Sequence, residues 1–203
     1  MNLEDWFKFF YYQILSDFGF DEEKDKEAAR LMHSLAGDKL LDKEVIRNKV
    51  EGREVAVIGG AVENEINTET IITAGKAILK WMEISDRTPD IHVTDMEEDS
   101  DILIDLENKG CLLILHAHGD NIDRIKDTIP KIGRFIGTTQ HFPFNRIYNF
   151  GGFTDGDRAA IIAKEFGASK IILHGFRFHS TGIKGKKLTW AKRILKFEGI
   201  IEC

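Results

Sequence analysis

Only two cysteines, Cys111 and Cys203, occur in the 203 residues, so a disulfide framework is not the source of stability. Cys111 lies in an apolar run and reads as a core thiol. Proline numbers only three, and no Pro-rich or Gly-rich linker divides the chain. No apolar stretch approaches the ~18 residues of a membrane span. Asp5 and Lys8 interrupt the aromatic start, so no secretory signal is expected and the cytoplasm is the expected compartment. Positive charge is in the minority. The net charge of −6 argues against nucleic acid as a partner, while leaving room for a local basic patch. A chain of this length buries roughly 70% of its unfolded surface, so it needs no covalent staples. A homo-oligomer is left open.

The chain has two textures. Residues 1–50 read as a helical extension. In "LEDWFKFFYYQILSDF", Trp6, Phe9, Phe10, Gln13, Ile14 and Phe18 have spacings that line one helix face. Asp21 caps a second expected helix from Glu22 to Leu35, ending near Gly37. Asp42 to Val50 is a third. Residues 51–203 read as the catalytic domain. Short apolar runs at 55–60, 91–95, 112–119, 134–140 and 170–175 alternate with expected helices over Glu65–Ile84, Asp101–Lys109, Ile122–Ile132 and Asp157–Phe166. This alternation predicts an α/β fold with a doubly wound, mostly parallel, Rossmann-like sheet. Such sheets bind ligands at the carboxyl ends of their strands. Polar residues gather at those ends: Gly59-Gly60, Thr94-Asp95, His116 to Asn121, Thr138-Thr139-Gln140 and His174-Gly175.

Three stretches carry chemistry. "VTDMEEDSD" is mostly a solvated turn, but Asp95 directly follows its strand, where a hard cation could use it. "HAHGDN" places His116 and His118 on one side of a strand. The pair reads either as zinc ligands or as one core and one rim histidine, and zinc would need further protein ligands. Asp120 and Asn121 then offer oxygens to Mg²⁺ or to a ligand. In "NFGGFTDGDRA", Gly151 and Gly152 permit close backbone approach, and Thr154-x-x-Asp157 resembles a capping box. Capping explains one aspartate but not Asp155, Asp157 and Arg158 together. A helix N-terminus favours phosphate, and two carboxylates tolerate phosphate there only if a cation bridges them. Finally, "GIKGKKLTWAKRILK" holds Lys184, Lys186 and Lys187 without an acid. It reads either as a solvated helix face or as a flexible basic loop, Thr181–Lys187, that closes over polyphosphate.

The order of "TD", "HAHGDN", "TTQ" and "NFGGFTDGDRA" resembles the archaeal 6-hydroxymethyl-7,8-dihydropterin pyrophosphokinase family, the MptE-like proteins, over about residues 53–195. These are similar in fold to thiamin pyrophosphokinase. The resemblance implies Mg²⁺-dependent transfer of diphosphate from ATP to a pterin hydroxymethyl group, releasing AMP. It implies Asp95, Asp120, Asp155 and Asp157 as metal ligands, direct or through water. His118, Asp120 and Arg158 are the implied catalytic group. Gly59, Gly60, Thr94, Asn121, Thr138, Thr139, Gln140, Gly151, Gly152, Lys184, Lys186 and Lys187 are the implied ligand-binding set, with Phe142 or Phe153 able to stack on a flat ring. Two positions depart from the family pattern. The first loop reads "GGAVEN", and the stretch after the last strand reads "GFRFHS", offering Arg177 and His179. The rival readings are a zinc hydrolase using His116 and His118, and a nucleotide-binding module without turnover.

Overall fold

The computed structural model describes residues 1–202; Cys203, and with it any pairing of that thiol, lies outside the described residues. The first helical stretch comprises α1 (Leu3–Trp6), a π-helical segment (Phe7–Tyr11) and α2 (Tyr12–Phe18). Its buried positions are Trp6, Phe7, Phe10, Tyr11, Ile14 and Leu15, a repeat of four rather than 3.6 residues. The wider π turn accommodates that repeat. It also corrects the expected face: Gln13 is exposed and Phe9 only half-buried. Next come α3 (Glu22–Ala36), capped by Asp21 as expected, and α4 (Glu44–Val50).

Among the described residues seven strands follow: β1 (Glu54–Ile58), β2 (Thr70–Ala74), β3 (Ile91–Thr94), β4 (Leu112–Ala117), β5 (Phe135–Thr139), β6 (Ile147–Tyr148) and β7 (Lys170–His174). They form one parallel sheet in the order β6-β5-β4-β3-β2-β1-β7. The helices α5 (Ala77–Ile84), α6 (Ser100–Asn108), α7 (Ile122–Thr128), α8 (Asp155–Glu165) and α9 (Gly182–Phe197) complete the chain. The expected helix over 65–84 is therefore corrected: its first half holds β2, whose five residues are all buried. The short edge strand β6 is also new.

The sheet is covered on both faces, so its strands are apolar on both sides. One face packs against α3, α5, α6 and α7, through residues such as Met32, Trp81, Leu103 and Ile125. The other packs against α4 and α8, through Ile46, Val50, Ala159 and Ile162. The aromatic stripe of the first helices lies against Ile161 of α8 and Trp190 and Ile194 of α9. The N-terminal helices thus touch both faces of the sheet. The α8 helix crosses beneath β1, β2, β3 and β7. Its first turn reaches the carboxyl rim, and that rim holds the candidate site.

Candidate active site

At the end of β3, Asp95 enters a cavity of about 170 Å³. Its Oδ2 accepts from His118 Nε2 at 3.3 Å and lies 3.8 Å from Arg124. Its Oδ1 is buried without a partner among the described residues. Thr94 donates to Glu98 at 2.5 Å, and Glu98 folds behind the rim against His92. Thr94 thus shapes the loop and is spent on it, a correction to its expected contact with ligand. Asn121 is a similar latch: its amide donates to the backbone oxygens of Asp95 and His116, and its oxygen accepts from His118 N. It therefore ties two strand ends together.

His118 has both nitrogens engaged. Nδ1 accepts from the Asp120 amide at 3.3 Å, so Nε2 carries the proton given to Asp95. His118 thus holds the Asp95 carboxylate from one side, and it was expected to align a substrate hydroxyl. Asp120 is exposed and faces Lys24 and Asp25 outside this cavity, a correction to its expected metal and catalytic roles.

The opposite wall is the first turn of α8. Asp157 is fully buried and accepts from the backbone amides of Phe153 and Thr154 at 2.7 Å each, and also from the Thr154 hydroxyl. It caps the helix with both oxygens, which corrects its expected metal role. Asp155 lines the cavity instead, with Arg158 donating to it at 3.0 Å. A Cβ added to Gly75, at φ +51°, would stand 2.6 Å from Asp155 Oδ2. The bare glycine after β2 makes room for this carboxylate. Gly151 and Gly152 serve packing: a Cβ on Gly152 would stand 2.6 Å from Arg158 Cα, and on Gly151 2.9 Å from the Met1 sulfur. Neither lines the cavity, contrary to the expectation that they cradle ligand.

Asp95 and Asp155 differ electrostatically. Burial alone would raise the pKa of Asp95, but the His118 hydrogen bond and the charges of Arg124 and Arg158 outweigh it and hold the pKa below normal. Burial first, and then the charge of Asp95, push Asp155 well above normal. A cation between them would relieve both the orphaned Asp95 oxygen and the pressure on Asp155. The donor set fits Mg²⁺, which uses one or two carboxylates and keeps waters and phosphates as its other ligands. Among the described residues, no group of three or more His, Cys, Asp or Glu is placed to hold a metal. The zinc reading therefore lacks a ligand set.

Arg158 and Lys187 supply positive charge to the same cavity, and Phe20 and Phe153 supply an aromatic wall with ring centroids 6.4 Å apart. Phe142 packs on Phe7 at 4.2 Å, away from the cavity, so of the two candidate stacking rings only Phe153 is in place. The basic stretch is the start of α9, so of its two expected readings the structure has the helix and not the mobile loop. Its lysines diverge. Lys187 lies over Phe153, Lys184 reaches a second cavity, and Lys186 turns away to bond the Asp17 backbone oxygen. That second cavity, about 290 Å³, lies along Gly59, Gly60, Phe176 and Phe178 and also includes Arg177 and His179. Thr154 lines both cavities, so they meet at the cap of α8.

From β5, Thr139 accepts from the His141 amide, and Thr138 bonds His116. The Thr138 hydroxyl is engaged on both sides by the protein, which corrects its expected contact with ligand, whereas the Thr139 hydroxyl only accepts one bond. Gln140 lines the first cavity and donates to Asp25 at 2.7 Å. Asp25 and Phe20, from the N-terminal helical segment, were not foreseen, nor were Gly75 and Glu97. Gly75 alone carried a signal, a glycine at a strand end, and it was hidden with the strand that it follows.

A profile of the family described as 6-hydroxymethylpterin diphosphokinase MptE-like matches residues 61–181. The chain belongs to that family. A 6-hydroxymethyl-7,8-dihydropterin pyrophosphokinase of Methanocaldococcus jannaschii is 32% identical, over 97% of this chain and 95% of its own length. Proteins of the same name from Pyrococcus furiosus and Methanothermobacter thermautotrophicus are 36% and 33% identical, over 97% and 88% of this chain and 84% and 79% of their own lengths. The profile match of this MptE-like chain begins downstream of Phe20 and Asp25, yet both residues help to build the rim. Among the described residues, no helix is long and apolar enough to cross a membrane.

Proposed function

We propose that this chain transfers the terminal diphosphate of ATP to the hydroxymethyl oxygen of 6-hydroxymethyl-7,8-dihydropterin, releasing AMP. The observation that carries the reading is the junction of two cavities at the α8 cap, in a chain of this family. The second cavity, with its glycines, two phenylalanines and Lys184, suits a nucleoside and its first phosphate. The first cavity, with Phe20 and Phe153, suits the flat acceptor ring. The transferred diphosphate then lies between them, against Thr154, Arg158 and Lys187.

Bound Mg²⁺, held by Asp95 and Asp155, would neutralise phosphate charge as it builds during transfer. The chain's own residues do the rest. His118 keeps Asp95 charged and aimed. Arg158 and Lys187 give fixed positive charge beside the phosphates, where a half-closed site makes each interaction stronger than in water. Phosphoryl transfer depends mainly on positioning and charge, so the acceptor hydroxyl needs no strong base. The reading is tested by following AMP release from ATP with the dihydropterin present and absent, with Mg²⁺ and with chelator. AMP formed only with both additions supports it, and AMP formed without the pterin contradicts it.

A further inference from the structure

We propose that His116 Nε2 and Gln140 Oε1 form a paired acceptor that selects a ring edge carrying two adjacent donors, as the N3–H and 2-amino group of a pterin do. The proposal rests on the pterin reading above and adds the residues that give it specificity.

The argument begins with one hydroxyl proton. Thr138 Oγ1 donates to the Leu115 carbonyl at 3.1 Å. Its lone pair then faces His116 Nδ1 at 3.0 Å, so Nδ1 bears the ring proton. Nε2 is left as a bare acceptor. It is buried, has no partner among the described residues, and belongs to a residue only 2% exposed that lines the first cavity. Burial, and then the positive charge of Arg158, hold the ring neutral by lowering its pKa well below normal, against the opposite pull of the neighbouring Gln140 amide.

The Gln140 amide is fixed from behind. Its nitrogen donates to Asp25 Oδ2 at 2.7 Å. Asp25 is itself held by the Tyr11 hydroxyl at 2.9 Å and the Gly119 amide at 2.8 Å. With the nitrogen committed to Asp25, the amide oxygen is the group left to offer the cavity that Gln140 lines. Two acceptors without a proton between them disfavour an edge that presents a donor beside an acceptor, as adenine does. They favour a 2-amino-4-oxopyrimidine edge, with Phe20 and Phe153 packing on the ring. An unmet buried acceptor discriminates strongly against an analogue that lacks the matching donor.

The test is equilibrium binding of 6-hydroxymethylpterin and of its 2-desamino counterpart to the wild type, Thr138→Val and Thr138→Ser, with ATP measured alongside. The wild type should bind the amino compound at least about tenfold more tightly than the desamino compound. Thr138→Val, which removes the oxygen that sets the His116 tautomer, should lose most of that preference, and Thr138→Ser should keep it. ATP affinity should be the same in all three. A wild type that binds both pterins equally overturns the proposal, as does a Thr138→Val variant that keeps the preference. A wild type that binds ATP but neither pterin overturns the functional reading as well, which distinguishes the two failures.

Discussion

Removing the Asp25 carboxylate should loosen the N-terminal helices and the active-site rim together. Its two oxygens accept from Tyr11 Oη at 2.9 Å, Gly119 N at 2.8 Å and Gln140 Nε2 at 2.7 Å, and the residue is only 2% exposed. Asp25→Ala would leave three donors without their acceptor. A buried polar group stripped of its partner costs ~1–3 kcal/mol. Water entering the gap would meet part of that, so roughly 3–6 kcal/mol is expected for the three. For a chain of this size, the melting temperature should then fall by on the order of 10 °C. Thermal and urea melts of wild type and Asp25→Ala measure this. Kinetics give a second reading, because released Gln140 should raise KM for the pterin more than for ATP. A destabilisation under about 1 kcal/mol, the size of an ordinary surface change, would refute the reasoning.

Asp155→Asn should abolish turnover while leaving the melting temperature equal or higher, since it removes a carboxylate that burial and Asp95 both disfavour; retained activity would take Asp155 out of the site. Lys187→Ala should lower kcat/KM for ATP strongly, and Lys186→Ala should not, because Lys186 bonds Asp17 instead; steady-state kinetics of the two single variants decide this. Burial pushes the Cys111 thiol up to about 12. Its folded pKa thus lies above the unfolded value of about 8.5, so its stabilising contribution is intact at neutral pH and is lost as pH climbs from there towards the folded value. In a Cys203→Ser background, Cys111 should resist thiol reagents at mildly alkaline pH until the protein is unfolded; fast native labelling would contradict its burial.

The strand side of the rim was legible because its chemistry-bearing residues follow apolar runs, and parallel pairing brings such ends into register. Ile58 pairs with both Thr73 and His174, and His116 pairs with Thr138. The β2 strand was hidden because Ile71, Ala74, Ile78 and Trp81 repeat at helical spacing across a strand, a turn and a helix. Asp155 and Asp157 flank one glycine and could not be ranked by type. The fold decides between them, turning Asp157 back onto its own cap and Asp155 into the cavity. The basic stretch looked mobile because of Gly182 and Gly185. Packing of Trp190, Ala191, Ile194 and Leu195 outweighs the helix-weakening glycines. Asp25 was out of reach of sequence reasoning, since its partners Gly119 and Gln140 lie 94 and 115 positions away.

The central claim is diphosphate transfer at the junction of the two cavities, and phosphorus NMR of a reaction of ATP with 6-hydroxymethyl-7,8-dihydropterin and Mg²⁺ tests it most directly. The account predicts AMP and a pterin diphosphate in equal amounts, formed by the wild type and not by Asp155→Asn. ADP with a pterin monophosphate, or free diphosphate with no pterin product, would contradict it.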